Sequence, residues 1–305
     1  MTGISSRMVV LGESLIDIVE RDGRTSAMPG GSPLNVAVGL ARLGHDTTFI
    51  TEFGDDDHGE LVAQHLDGSG VTTIRGSDRS SSTSTATAHL AADGSATYEF
   101  DVNWTLGQET TAKAGRNPAL VHAGSLGAVL APGRVTVEAF LRSSPASTAR
   151  TFDPNVRPSL LVDSESAAAF ILRCAALCDV VKLSGEDAEW LFPGTALEEV
   201  VVRLATGQTS LVAITCGADD ALLRAGRETI AVPAFDVEVV DTIGAGDAFM
   251  AGLIDAWTPK RRSPLTSEAL MHIGTQAAAC AALTVQRAGA MPPTHTEVDE
   301  FLAGR

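Results

Sequence analysis

Val239-Val240-Asp241-Thr242-Ile243-Gly244-Ala245-Gly246-Asp247-Ala248-Phe249 carries a short apolar run into a polar pair. A Gly-x-Gly turn follows, then residues able to form a helix as far as Trp257. Glycine lets the backbone turn tightly and lets another group approach closely. A helix starting there aims unpaired N–H groups, and the positive end of its dipole, into the turn. Asp247 falls in the first helical turn. A carboxylate at that place can accept a proton from a nucleophile while the N–H groups hold the charge of a phosphoryl group. The same residues also suit an ordinary strand-to-helix turn in which Asp247 only complements the dipole. The stretch alone leaves both readings open.

Outward from it, strands and helices alternate. Met8–Leu11 reads as a buried strand ending at Gly12-Glu13, and Asp17 lies in the alternating segment Leu15–Glu20. Met28 to Asn35 is rich in turn formers and reads as a loop. A helix is expected from Asn35, a strand over Thr47–Thr51 and a helix over His58–Leu66. Thr83–Leu90 and Ala96–Phe100 then read as a hairpin about Asp93-Gly94, with Ser80-Ser81-Ser82 as its hinge. Alternation resumes with strands at Ala119–Ala123, Ala149–Phe152, Asp179–Leu183 and Leu211–Thr215. The pattern predicts an α/β fold with a central, mainly parallel sheet flanked by helices. It is read as a single domain over 1–305, with a β-hairpin lid inserted at about 75–105.

The formal net charge of −16 disfavours nucleic acid and anionic membranes as partners. The four cysteines show no zinc spacing, and Cys174 and Cys178 sit one helical turn apart in an apolar segment. The polar start is unlike a signal peptide, and no apolar run has membrane-spanning length. A reducing cytoplasm is the expected location.

Polar residues recur just after strands: Asp17, Asn35, Ser125, Asp153, Asn155, Arg157, Ser184, Asp187, Thr215 and Asp247. Ligands of open parallel sheets bind beyond the carboxyl ends of the strands, so one ligand-binding edge is expected. The chain has no GxxxxGK[ST], no third glycine for a dinucleotide fingerprint and no H-E-x-x-H. Gly124-Ser125-Leu126-Gly127 approaches a nucleophile elbow, but the segment is not expected to run straight into a helix. His272 and His295, the late histidines such a triad would need, have unremarkable settings.

Asp241-Thr242-Ile243-Gly244-Ala245-Gly246-Asp247 resembles the D-T-x-G-A-G-D signature of the ribokinase-like carbohydrate kinases. Gly12-Glu13-x-Leu15-x-Asp17, Gly30-Gly31-Ser32-Pro33-Leu34-Asn35, Asp153-Pro154-Asn155-Val156-Arg157 and Val181-Lys182-Leu183-Ser184 stand in the order of that family. So does the tail Ala282-Leu283-Thr284-Val285-Gln286-Arg287-x-Gly289-Ala290. The forms are most similar to the fructokinase branch, and the resemblance spans nearly the whole chain.

It implies a ribokinase-like fold with a small β lid, and ATP-dependent phosphorylation of a sugar hydroxymethyl group. Asp247 would take the hydroxyl proton, and the N–H groups of Gly244, Ala245 and Gly246 would hold the phosphoryl group. Asp17, Gly30, Gly31 and Asn35 would bind the sugar, with Asn155 and Arg157 near substrate or phosphate. Tyr98, Phe100 and Trp104 would close over the sugar from the lid, through which homodimers can also form. Lys182, Ser184, Thr215, Gly217 and Gln276 fall on the nucleotide side.

Asp187 or the adjacent Glu186 would face Mg2+ through water, standing where the family has the glutamate of N-x-x-E. A monovalent cation such as K+ is a further implied cofactor. The usual third glycine of the nucleotide loop is Asp220, expected to point away from phosphate. 2-Keto-3-deoxygluconate kinase is the alternative within this chemistry. A sugar- or nucleotide-binding regulator without catalysis is the alternative outside it.

Overall fold

The computed structural model describes residues 7–21, 24–76, 82–90, 96–115, 117–161, 163–258 and 265–305. The expected turn at Asp93-Gly94, Ser80-Ser81 of the expected hinge and the first six residues lie outside them. The chain begins with β1 (Met8–Leu11), β2 (Leu15–Arg21), β3 (Arg24–Gly30), α1 (Ser32–Arg42), β4 (Thr47–Thr51), α2 (Asp57–Gly68) and β5 (Thr72–Arg75). Next come β6 (Thr85–Leu90), β7 (Ala96–Asp101), α3 (Gln108–Ala112), β8 (Leu120–Gly124), α4 (Ser125–Val129), α5 (Gly133–Ser143) and β9 (Ala149–Asp153). The rest holds α6 (Ser164–Ala175), β10 (Val180–Ser184), α7 (Gly185–Leu191), α8 (Leu197–Leu204), β11 (Leu211–Thr215), β12 (Ala221–Ala225) and β13 (Glu228–Val232). α9 (Ala245–Trp257), α10 (Ser267–Val285) and α11 (His295–Ala303) complete it.

A nine-stranded sheet runs in the order β13-β12-β11-β10-β9-β8-β1-β4-β5. All its pairings are parallel except those of β12 and β13, at one edge. Both faces are covered, so the strands are apolar throughout. In β1, Val10 joins the core beneath α1, α9 and α10, while Val9 and Leu11 join the opposite core. The chain moves from β1 out to β5 and returns on the other side at β8. The topological switch therefore lies between β1 and β8.

The lid is larger than the hairpin expected at 75–105. It is a four-stranded sheet, β3-β2-β6-β7, half of it supplied by Leu15–Gly30. β2 pairs antiparallel with β3 but parallel with β6. Two further expectations need correction. Met28–Gly30 is strand rather than loop; Pro29 is tolerated because β3 is an edge strand. The helix starts at Ser32, not Asn35, with Pro33 in its first turn.

Polar bonds fasten the crossings from lid to main sheet. Thr83 donates to Asp56 through both N–H (2.8 Å) and Oγ1 (2.6 Å). Thr105 donates to Glu52 through N–H (2.8 Å) and Oγ1 (3.1 Å).

α9 is buried on nearly every side, which fixes its first turn. A Cβ on Gly39 of α1 would stand 2.7 Å from Ala251 Cβ, and one on Gly252 would stand 2.8 Å from Cys280 Sγ on α10. Small residues thus let three helices approach closely. Farther along, Asp255 receives Gln276 Nε2 of α10 and pairs with His45 Nε2 at 2.7 Å.

Candidate active site

Gly244 caps α9 in the left-handed region, at φ 76°. A Cβ there would also meet Ala290 at 2.6 Å. Glycine is therefore required both by the turn and by its neighbour. The loop before it is held by Asp241, whose carboxylate accepts Ile243 N–H (3.0 Å) and Gly289 N–H (2.8 Å). Ala245 N–H bonds Thr242 O at 3.3 Å, closing the turn at the start of α9.

Asp247 is 8% exposed at the first turn of α9. Ser32 Oγ donates to its Oδ1 (2.6 Å), and Asn35 Nδ2 donates to its Oδ2 (2.8 Å). Ser32 and Asn35 are three apart on α1 and so share one helix face. They fix the plane of the carboxylate while each oxygen keeps a lone pair for an incoming hydroxyl.

Asp17 reaches the same space from the lid. In register across that sheet, Met28, Asp17, Ala86 and Phe100 form a row on one face. A Cβ on Gly30 would be 2.0 Å from Asp17 Oδ2, so that glycine is where the carboxylate lies. Burial raises the Asp17 pKa to about 6; the charge of Asp247 adds to this and that of Arg157 opposes it. Phe100 packs with Leu15, Ala86 and Leu126. Exposed Arg157 donates from Nη1 to Asn155 Oδ1 (2.9 Å), and Asn155 itself has φ 38°.

On the other side of Asp247, Asp187 is the third residue of α7 and forms a capping box with Ser184. Its Oδ1 also accepts Val156 N–H at 3.1 Å. Burial raises its pKa, against the charges of Lys182 and Arg157. Lys182 Nζ donates to Asp153 Oδ2 at 2.9 Å, both residues being buried. Burial works to lower the Lys182 pKa, but the Asp153 charge and hydrogen bond, with Asp247 and Asp187, outweigh it and hold it above the usual lysine value. One edge of the sheet thus holds a carboxylate oriented by two donors, a glycine turn at a helix start, a buried ammonium and a second carboxylate supplied by the lid sheet. That set suits transfer of a phosphoryl group to a hydroxyl.

Residues 5–297 match the pfkB family carbohydrate kinase profile. The chain belongs to the pfkB carbohydrate kinase family. It is 34% identical over 252 residues to a fructokinase of Rhizobium leguminosarum bv. trifolii, covering 80% of this chain and 77% of that one. A fructokinase from Xylella fastidiosa with bound ATP superposes with a TM-score of 0.88 at 27% identity, over 98% of this chain and 99% of that chain. A double-mutant fructokinase from Vibrio cholerae O395, in a form with fructose, ADP and potassium ion bound, gives a TM-score of 0.85 at 26% identity, over 99% and 100%. The fold is therefore ribokinase-like, and the chain is a sugar kinase.

In this pfkB kinase the other expected residues fall in different places. Thr215 ends β11 beside Ser184, and Gly217 comes two residues later at φ 64° on the same rim. Glu186 is exposed whereas Asp187 faces the buried cluster. Asp220 is exposed. Trp104, expected over the sugar, lies past the end of β7 in the core, where it is 3% exposed and its indole N–H donates to Gly127 O (2.8 Å). The amide of Gln276, expected near the nucleotide, is bonded to Asp255. Tyr98 lies on β7 opposite Ala88.

Sequence reasoning passed over Ser32 as a site residue, although its spacing to Asn35 carried the signal. It also passed over Glu13, at the topological switch. There Glu13 Oε2 accepts Gly127 N–H at 2.6 Å, joining the end of β1 to α4. Burial drives the Glu13 pKa up to about 7, against hydrogen bonds from Ser125, Gly127 and Leu126. α4 begins directly after β8, contrary to expectation, but Ser125 is 3% exposed and its hydroxyl serves Glu13. The nucleophile-elbow reading ends there.

Proposed function

We propose that this pfkB kinase transfers the γ-phosphoryl group of ATP to a hydroxymethyl oxygen of fructose. The observation that carries the reading is Asp247, held by Ser32 and Asn35 at the mouth of the α9 anion turn and facing Asp17 of the lid. A new bond forms between the sugar oxygen and the γ-phosphorus, the bond to the ADP oxygen breaks, and the hydroxyl proton passes to Asp247. Asp17, Gly30, Gly31 and Asn35 would hold sugar hydroxyls, with Phe100 on the lid face and Asn155 and Arg157 at the entrance. Asp247 need only accept the proton as it is lost, because phosphoryl transfer depends mainly on positioning and charge neutralisation. The choice of fructose is supported by the fructokinase relatives at 34% identity and below.

The residues fit a magnesium ion carried on the nucleotide. The Asp187 carboxylate accepts the backbone N–H groups of Val156 and Ser184 and would reach its water shell; such an ion would neutralise phosphate charge. A monovalent cation is the further cofactor of this reading, supported by the potassium ion bound in the Vibrio cholerae fructokinase. Lid-to-lid homodimers would use the edge strand β7. Among the described residues no helix is long and apolar enough to cross a membrane, and the four cysteines are free; we place the kinase, as one domain with its lid, in a reducing cytoplasm.

The test is ADP release over a panel of sugars, with the phosphorylated carbon of the product located by NMR. ATP- and Mg2+-dependent turnover fastest on fructose is expected. Sugar and nucleotide binding without turnover on any sugar would favour a regulator instead.

A further inference from the structure

Two hydrogen-bond acceptors are stranded beneath the site, on neighbouring strands of the main sheet. His122 of β8 is 1% exposed, and Asp153, the last residue of β9, is 0% exposed. The register sets His122 opposite Thr151 and Gly124 opposite Asp153. Residues two apart on a strand share a face, so His122, Thr151 and Asp153 project together. It is the face on which Val10, opposite His122, packs under the helical core. Strands about 4.8 Å apart, rising about 3.3 Å per residue, put the Cα atoms of His122 and Asp153 roughly 8 Å from each other.

The proton on His122 can be located. Thr151 Oγ1 lies 3.5 Å from Val121 O, a carbonyl that only accepts, so the hydroxyl hydrogen points there. Thr151 Oγ1 therefore accepts from His122 Nδ1, 2.9 Å away. Burial, helped by the charge of Lys182, pushes the His122 pKa down to about 3, so the ring is neutral and carries a single N–H. Nε2 is left with a bare lone pair. Asp153 Oδ2 takes Lys182 Nζ. Burial raises the Asp153 pKa to about 6 against that charge, so at pH 8 its Oδ1 is an acceptor too. Among the described residues neither Nε2 nor Oδ1 has a hydrogen-bond partner.

Two acceptors cannot satisfy each other, and an unmet polar atom in a dry interior is costly. A molecule with two hydrogens to give meets both. Buried waters occupy such places, each bonded to otherwise unsatisfied polar groups.

We propose that one buried water donates a hydrogen to His122 Nε2 and another to Asp153 Oδ1, making His122 a positioning residue for the phosphoryl-transfer site. Asp153 is followed by Pro154, by Asn155 at φ 38° and by Val156, whose N–H meets Asp187. A carboxylate held at both oxygens fixes the end of β9 from which that loop departs. His122 touches neither sugar nor phosphate; it acts through the water and Asp153. The positioning role rests on the kinase reading above, whereas the water does not.

A high-resolution crystal structure of the wild-type protein at pH 8 tests the water and needs no variant to fold. Density for a water within about 3.2 Å of both Nε2 and Oδ1 supports it. Nε2 bonded directly to Oδ1, or a dry gap between them, refutes it. That result stands whether or not the chain phosphorylates any sugar.

His122→Asn and His122→Gln separate the two ring nitrogens. The asparagine amide can donate to Thr151 as Nδ1 does but reaches no farther; glutamine sets an amide oxygen where Nε2 stood. Wild-type turnover is measured first, and no ADP release from any sugar removes the kinase reading and the positioning role with it. His122→Asn should then lower kcat about tenfold or more with the sugar KM within about twofold, as for displaced reacting groups. His122→Gln should keep kcat within about threefold of wild type although it loses the Thr151 bond. A role confined to packing or to Thr151 predicts the opposite order. His122→Asn with kcat within about twofold of wild type, or His122→Gln falling as far as His122→Asn, overturns the positioning role.

Discussion

Glu13→Gln should make the protein more stable, increasingly so as pH rises from 4.5 to about 7. Glu13 is 1% exposed, and burial lifts its carboxyl from 4.5 to about 7. Below pH 4.5 the group is protonated in folded and unfolded chains alike and has no pH-dependent effect. Between 4.5 and about 7 the unfolded chain has lost the proton while the folded chain keeps it, so stability falls as pH rises. Above both values the loss is complete. At 1.36 kcal/mol per pH unit it is about 3 kcal/mol.

Glutamine never ionises and still offers an oxygen to Gly127 N–H. Urea unfolding of both proteins between pH 5 and pH 8.5 isolates the effect, because groups far from Glu13 cancel in the difference. The variant should gain about 2.5 kcal/mol on the wild type between the ends of that range, because part of the effect is already present at pH 5. A difference that stays flat with pH would refute the view that folding forces Glu13 to hold its proton.

Three further outcomes are expected. Asp247→Asn should cut kcat by about 10²–10⁴-fold while the dissociation constants for sugar and ATP, read by calorimetry, change little; near-normal turnover would remove Asp247 as the base. Ser32→Ala removes one of the two donors to that carboxylate, a bond to a charged group worth about 1.5–3 kcal/mol, and should lower kcat roughly tenfold or more in the coupled assay; an unchanged kcat would mean Asn35 alone orients it. Asp17 is charged only above about pH 6, so the sugar KM should rise as pH falls through that value, and Asp17→Asn should flatten the profile; a wild-type KM that ignores pH from 5 to 8 would contradict the assignment.

The main sheet and the start of α9 were readable because both are encoded locally. Strand–helix alternation predicts parallel crossovers, and Gly244-Ala245-Gly246-Asp247 specifies both a turn and the helix that continues from it. The lid was half readable. β6 and β7 adjoin in sequence, but their parallel neighbour β2 lies far upstream, and nothing within Leu15–Arg21 announces which strand it will meet. β3 was hidden by Pro29 and Gly30, which resemble turn residues until an edge strand uses them. The partners of Trp104 and Gln276 were hidden for another reason. Position in a motif says which element a residue occupies, whereas the direction of its side chain depends on packing against Gly127 and Asp255. Ser32 and Asn35 show the converse, a pair whose shared helix face was written in their spacing.

The interleaving of lid and main sheet bears on how the chain is made. β2 and β3 leave the ribosome about 55 residues ahead of β6, an interval of several seconds at ~5–20 residues per second. During that time β2 has an open edge, available to any other strand in the cell. The edge closes only after α1, β4, α2 and β5 have been synthesised, and Asp56 and Glu52, which fasten Thr83 and Thr105, belong to that later material. Nascent chains stalled between Gly30 and Thr85 should therefore be the most prone to aggregate and the most dependent on chaperones, with the sugar site among the last regions to acquire its shape.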